Sequence, residues 1–457
     1  MGTGAPDIRP VRTAEELRAF VDLPFAVYGR DDPWVPNLRR DDLALLTPGR
    51  HPFWETARRE LFLAYEAGRP VGRIAAIVDE KHNGFARERC GAFGFFECLP
   101  RPDAAQALLA SASAWLKAEG MDFMRGPLNP STNYTCGLLV DGFAEPPAIM
   151  MPWNPREYAA WFERFHLRKE QDLFAYRILK QTAHMTPQVR AELARLKAEG
   201  RFTARASSKK TLAGDVRTML DIYRESWSQN FGFSPLSPKE AESLVKDLTL
   251  FLDPQFFVLF FHAGEPAGGM VALPDYTPLL KRLNGRLSPL LPWHYFRTRK
   301  LFGQGYRIIL FGIREAFRLM GLPLLVFDYM LEKAKNSPDF QWVEGSWVLE
   351  DNAPVCDLID HIRHRISRVT DLTEKVVRIE PCGCELPLCH DQTRDGKRAR
   401  ANSNLPLERG KVHQIFPALF DDEKGGRTVV RIRGLSKCRR HQILEPIGIA
   451  CPVKTGA

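Results

Sequence analysis

Between Arg307 and Ala334 the sequence runs RIILFGIREAFRLMGLPLLVFDYMLEKA: a β-branched apolar stretch, a short turn, and a stretch with helical spacing. The turn is Arg318-Leu319-Met320-Gly321-Leu322-Pro323. A glycine between strand and helix lets free backbone N–H groups and a helix N-terminus converge, and an anion settles there. Pro323 subtracts one donor but is acceptable in a first helical turn. A second polar stretch, RGPLNPSTNYTCGLLVDGF (125–143), offers Asn129, Ser131 and Asn133 as hydrogen-bonding groups for a substrate pocket. Turn chemistry accounts for the same residues. A third, CGCELPLCH (382–390) with CRRH (438–441), holds Cys and His, but Cys-x-Cys and Cys-x₄-Cys are not zinc-finger spacings, so no metal site is assigned.

These groups must be held by elements that the sequence writes twice. Residues 62–79 (FLAYEAGRPVGRIAAIVD) and 258–275 (VLFFHAGEPAGGMVALPD) share seven of eighteen residues at an offset of 196: Leu63/Leu259, Ala67/Ala263, Gly68/Gly264, Pro70/Pro266, Gly72/Gly268, Ala76/Ala272 and Asp79/Asp275. Each copy is an apolar run, a Gly-centred turn and a second apolar run, which predicts a β-hairpin. RGPLNPSTN (125–133) and EGSWVLEDN (344–352) echo each other at an offset of 219, so the second copy carries 23 more residues between its anchors. Two echoes in one order predict a duplicated domain of about 170 residues.

The remaining pattern fits that plan. In the first half TAEE predicts a capped helix over Thr13–Val21, AFGFFE (92–97) a strand, and Asp103–Glu119 a helix. Ala105, Leu108, Leu109, Ala112 and Leu116 share one face of it and should be core. A strand near 122–126 completes the unit. The second half opens with a helix over 186–200 carrying Pro187 near its start. A helix near 213–227 follows, then another starting at the capping box Ser237-Pro238-Lys239-Glu240. The hairpin, the strand at 307–313, a helix to about Lys335 and a strand at 342–349 leading to Asn352 complete it. Hairpins followed by alternating strand and helix predict an α/β (α+β) class with mixed sheets. The boundaries fall at 1–185, 186–365 and 366–457. The last segment loses its pattern soon after His361, keeps one strand-like run at 428–433, and reads as a disordered or aberrant tail, such as a shifted reading frame would leave.

With 44% hydrophobic and 26% charged residues, the 457-residue chain has a globular composition. No apolar run nears the roughly 18–20 residues of a membrane span, and the N-terminus has no signal-peptide pattern, so the expected location is cytoplasmic. The net charge of +9 is concentrated: residues 363–457 carry +8 and the rest +1, so the body gives no argument for nucleic acid. Nine cysteines without a secretory pattern predict no disulfide framework. The insertion 276–306 has six basic residues, no acidic ones, and Trp293, Tyr295 and Phe296. It reads as a lid over an acceptor, a contact for anionic membrane or RNA, or a helix packing on its own domain through Leu279, Leu280 and Leu283.

The strand–turn–helix at 307–334 resembles the acyl-CoA-binding motif of the GNAT (GCN5-related N-acetyltransferase) superfamily, Arg/Gln-x-x-Gly-x-Gly/Ala. Arg318 and Gly321 match its first two positions, and Pro323 replaces the third. The hairpin before it and SWVLEDN after it occupy the family's strand order. CLPRPDAAQ (98–106) in the first half has no such motif and resembles a degenerate copy. The resemblance covers about residues 8–365 and implies two GNAT-like mixed-sheet domains in tandem, using acetyl-CoA or another acyl-CoA as co-substrate. It implies direct attack of an amine on the thioester in a ternary complex, with Arg318, Gly321 and Leu322 at the pyrophosphate. A backbone N–H near Ile313 would serve the thioester oxygen, and Asn352 would lie at the start of the next helix. A base must take the amine proton. Glu315, Glu344, Glu350 and Asp351 are the carboxylates near that cleft, the first three being the catalytic candidates. Cys356, Asp357 and His361 stand where the family often places a Tyr acid. The acceptor would be a small-molecule or peptide amine. A transferase like the FemABX aminoacyl-tRNA-dependent family, with tRNA on the basic insertion, and a non-catalytic scaffold are the alternatives.

Overall fold

In a computed structural model, residues 6–181, 183, 185–363 and 372–379 are described. The first half contains β1 (Asp7–Pro10), α1 (Ala14–Asp22), α2 (Pro24–Val27), α3 (Arg39–Leu46), β2 (Ala57–Glu66), β3 (Arg69–Asp79), α4 (Glu80–Ala86) and β4 (Cys90–Cys98). It continues with α5 (Pro102–Ala118), β5 (Phe123–Gly126), β6 (Leu128–Asn129), β7 (Thr135–Cys136), β8 (Leu138–Asp141), α6 (Glu157–Arg164) and β9 (Arg168–Leu179). The second half comprises α7 (Pro187–Glu199), β10 (Phe202–Ala206), α8 (Leu212–Trp227), α9 (Pro238–Phe251), β11 (Phe257–His262) and β12 (Glu265–Pro274). Then follow α10 (Thr277–Leu283), α11 (Leu291–Phe302), β13 (Gly305–Ile313), α12 (Leu322–Asn336), β14 (Trp342–Leu349), α13 (Ala353–Arg363) and β15 (Leu372–Ile379).

The repeated residues have the same jobs in both copies. Ala67-Gly68 and Ala263-Gly264 all have positive φ, the type I′ geometry that suits a twisted hairpin. Both hairpins carry a bulge at the equivalent place, at Ala64/Tyr65 and Phe260/Phe261. Asp79 ends its hairpin by capping α4, accepting from the Lys81 and His82 amides, and Asp275 accepts from the amide of Thr277, the first residue of α10. A Cβ on Gly72 would lie 2.7 Å from Leu108 of α5, and one on Gly268 would lie 3.1 Å from Leu322 of α12. These glycines let the equivalent helices lie close on the sheet. On α5, Ala105, Leu108, Leu109, Ala112 and Leu116 are all buried, as their spacing predicted. Both capping boxes form: Thr13 with Glu16, and Ser237 with Glu240.

One sheet of thirteen strands runs through both halves in the order β1-β2-β3-β4-β5-β15-β9-β14-β13-β12-β11-β10, with β8 on the side of β15. Each half contributes an antiparallel run ending in a short parallel pair. β4 and β5 pair from Cys90/Phe123 to Ala92/Arg125, and β13 and β14 from Gly305/Trp342 to Ile308/Gly345. Beyond those positions the strands diverge. The closing strands are exchanged: β9 of the first half pairs with β14 of the second, and β15 of the second pairs with β5 of the first. β15 also pairs with β9 and joins the two arrays. This strand lies beyond residue 365, inside the segment that the sequence reading assigned to an unpatterned tail. Its mixture LTEKVVRI gives no clean alternation to read. The cysteines of the tail, its Cys/His spacings and the 428–433 run lie outside the described residues.

Candidate active site

The two divergences have different contents. In β4 a bulge near Phe95, at φ +50, turns the Phe95 amide out of the ladder. That N–H donates to Asn129 Oδ1 at 2.5 Å. A Cβ on Gly94 would lie 1.7 Å from the Leu128 carbonyl oxygen, so β6 lies directly against β4. The first half therefore fills its own slot with backbone and an amide side chain.

In the second half the corresponding strand has its bulge at Ile309, between the pairs Val271/Leu310 and Ala272/Ile308. Ile309 and Leu310 line an open cleft of about 860 Å³, counting the space continuous with solvent. Trp227 from α8, Leu244 from α9, and Ser346 and Trp347 from β14 line it from the second half. His51, Thr132, Asn133, Tyr134 and Met150 come from the first half. Asn133 accepts from the Tyr223 phenol at 2.8 Å and donates to the Ser234 carbonyl at 2.8 Å, so it holds α8 and the loop after it in place.

The polar groups of the cleft form two sets. On one side Glu240 receives Lys81 in an ion pair and the Tyr134 phenol at 3.3 Å. His51 and Asp247 lie nearby. Burial pushes the His51 pKa down against the pull of Glu240 and Asp247, which leaves a neutral imidazole at neutral pH. Its Nδ1 accepts from the Phe53 amide at 3.3 Å, so in the neutral ring Nε2 carries the proton. Burial raises the Asp247 carboxyl, with Lys246 and His51 opposing it. Burial also raises the Tyr134 and Tyr223 phenols, so both keep their protons. On the other side Arg307 donates to Ser346 Oγ at 2.8 Å and to the Ile149 carbonyl at 2.8 Å, with its guanidinium over Trp347. Ser346 donates in turn to Glu344 at 3.2 Å, and Glu344 pairs with Arg177 at 2.9 Å.

The residues singled out from the sequence fall in three places. Ile313, Arg318, Gly321 and Leu322 gather at the β13–α12 turn. Arg318 donates to the Ser226 carbonyl at 3.1 Å, one residue from Trp227 of the cleft. Gly321 N-caps α12 at φ +77, and a Cβ there would lie 2.6 Å from Leu196 of α7. The Ile313 and Leu322 side chains are buried in the core beneath α12. Glu315 is exposed beside the turn. Glu344 is fully buried one side chain behind the cleft wall, reached through Ser346. Glu350 pairs with Lys169 at 2.7 Å and accepts from the Asp172 amide at 2.9 Å, which fastens β14 to β9. The Asn352 carbonyl accepts from the Val355 and Cys356 amides and starts α13. Of the loop 125–143, Asn133 reaches the cleft, whereas Asn129 fills the first slot. Sequence reading missed His51, Tyr134, Tyr223 and Asp247, which lie in four separate segments.

Two arrays, each an antiparallel run ending in a diverging parallel pair, with a helix laid on the strands beside that pair, define a tandem GNAT-like protein. No family model matches the chain. It is 30% identical over 359 residues to the bacterial ceramide synthase of Caulobacter vibrioides (strain NA1000 / CB15N), covering 77% of this chain and 93% of that protein. It is 26% identical over 364 residues to protein YghO of Escherichia coli (strain K12), covering 78% and 91%. The chain belongs to the family of the bacterial ceramide synthase. Among solved structures it is similar to a tandem GNAT protein from the clavulanic acid biosynthesis pathway, at a TM-score of 0.46, 10% identity, and coverage of 83% of this chain and 100% of that one. A GCN5-related N-acetyltransferase from Anabaena variabilis ATCC 29413 aligns at a TM-score of 0.41 and 9% identity, over 82% and 73%.

Proposed function

We propose that the chain is an N-acyltransferase that moves an acyl group from acyl-CoA to the amine of a long-chain amino alcohol. The observation that carries this reading is the contrast between the two slots. In the first half the β4 bulge already binds a carbonyl oxygen, that of Asn129. In the second half the matching bulge faces an open cleft, where a thioester carbonyl would take the same place and accept from a bulge amide. The amino alcohol is chosen because a ceramide is the N-acyl amide of such an amine, and the chain belongs to the family of a ceramide synthase. The largely apolar cleft wall, with Leu244, Ile309, Leu310 and Trp347, suits an acyl or alkyl chain.

The amine nitrogen attacks the thioester carbon, the C–N bond forms, and the C–S bond breaks as the tetrahedral adduct collapses. The amine proton goes to Asp247, whose raised carboxyl suits it better as a base than an exposed aspartate. His51, with Nε2–H available, donates to the acceptor hydroxyl. The proton that Asp247 has taken then passes to the departing thiolate, while the Tyr134 and Tyr223 phenols keep theirs. Glu344 acts as a positioning residue for Ser346 and Arg307. The CoA pyrophosphate would lie at the β13–α12 turn beside Arg318 and Gly321, with Asn352 at the far end of β14. Glu315 and Glu350 hold no step.

A thermal-shift titration of the full chain with acyl-CoAs of increasing chain length tests the thioester half of this reading. Saturation at 100 times the Kd should stabilise the protein by about 2.7 kcal/mol, and Arg318→Ala should weaken that response. In an amide-formation assay Asp247→Asn should lower kcat by roughly 10²-fold or more while leaving the thermal shift intact. No response to any acyl-CoA in folded protein would sink the proposal and bring tRNA or a scaffold role forward.

A further inference from the structure

Ten large apolar side chains are exposed among the described residues, and six of them lie between 287 and 301: Leu287, Leu290, Trp293, Tyr295, Phe296 and Leu301. This clustering is not what a helix packed on its own domain shows. On α11 the buried positions are Thr298 and Phe302. At 100° per residue, Leu290, Trp293 and Phe296 fall on the opposite side, with Arg297 and Lys300 in the same arc. They are 59%, 50% and 62% exposed. The Arg297 guanidinium sits 4.8 Å from the Trp293 ring centre and that of Arg299 5.1 Å from Phe296.

The segment is anchored at its base. The Arg39 amide donates to the Gly285 carbonyl at 3.0 Å and its guanidinium to the Asn284 carbonyl at 2.9 Å, while Lys281 donates to the Asp32 carbonyl at 2.9 Å. Tyr276 donates to the Phe251 carbonyl at 2.7 Å, and Tyr276 and Tyr295 both pack on Phe302. Phe251 is itself exposed, and it lies one helical turn beyond Asp247 on α9, the helix that lines the cleft. The apolar face is thus presented by a braced support that Tyr276 joins to α9, the helix that lines the cleft.

We infer that α11 and the turn before it form a docking surface for the headgroup region of an anionic lipid bilayer. Large aromatics interleaved with Arg and Lys, and six basic residues without an acidic one across 276–306, match such a surface in both polarity and charge. An exposed aromatic row of this kind is costly against water alone. Docking there would set the cleft mouth beside the bilayer, where long-chain amines and thioesters partition. The surface acts whether or not the acyl-transfer reading holds, because binding needs neither thioester nor amine.

Co-sedimentation of the full chain with vesicles, in the absence of any substrate, decides it. Binding to phosphatidylcholine vesicles containing about one-third phosphatidylglycerol should exceed binding to phosphatidylcholine alone. Trp293→Ser with Phe296→Ser should weaken it by about tenfold or more, at an unchanged melting temperature. Arg297→Gln, Arg299→Gln and Lys300→Gln together should weaken it by about a hundredfold on the anionic vesicles alone. The basic segment 363–457 is intact in every variant. If the aromatic variant sediments like the wild type, that segment or another surface binds lipid and the inference is overturned. Loss of single-stranded RNA binding in the same variants, with vesicle binding retained, would equally overturn it.

Discussion

Glu97 on β4 stands where β13 has Gly312, and it shows what the first half did with its own site. Its carboxyl accepts from the Tyr28 phenol at 2.5 Å and the Tyr158 phenol at 3.2 Å. Burial pushes its pKa up to about 7 from 4.5, with Arg73 and the two phenols opposing. A carboxyl raised on folding stabilises the fold fully below its unfolded pKa, and that stability is lost as pH climbs through the folded one. Between about pH 4.5 and 7 the native state holds a proton that the unfolded chain has released. The slope is then about −1.4 kcal/mol per pH unit, at most roughly 3 kcal/mol in all. Glu97→Gln keeps an acceptor for the phenols and removes the titration. Denaturant melts across that range should show the wild type losing stability relative to the variant as pH rises; parallel profiles would refute the coupling. Nothing in AFGFFE announces this, because burial of one carboxyl depends on Tyr28 and Tyr158, some sixty to seventy residues away.

Elements built from near neighbours are those that sequence predicted well. The hairpins, the α5 face and the two capping boxes each arise from residues within a few positions of one another, where spacing and side-chain type carry the information. β15 escaped because its stabilisation comes from pairing with β5, β8 and β9, not from its own pattern. It covers edges of β5 and β9 that would otherwise be open. A chain ending after Ile379 should therefore keep a cooperative melt, whereas one ending at residue 364 should lose it and self-associate. Size-exclusion chromatography and thermal melting of the two truncations compare them directly; identical behaviour would remove β15 from the account.

For the whole molecule, strand exchange makes each half depend on the other. β9 completes the array of the second half and β15 that of the first. Residues 1–185 and 186–457 produced separately should be poorly folded, and mixing them during refolding should yield a complex that co-purifies and melts cooperatively. Two stable monomeric fragments would contradict the exchange. The cleft has the same dependence: Lys81 to Glu240, Tyr223 to Asn133 and Asn133 to Ser234 join residues 90 to 159 positions apart. The sequence by itself determined the duplication, the order of strands and helices in each copy, and the Gly-centred turn beside β13. These rest on local backbone preferences and short-range periodicity. Only the tertiary structure decided which slot stayed open, which strand closed which half, and which side chains met in the cleft, since such contacts depend on folding distant segments together and leave no periodic trace in either one.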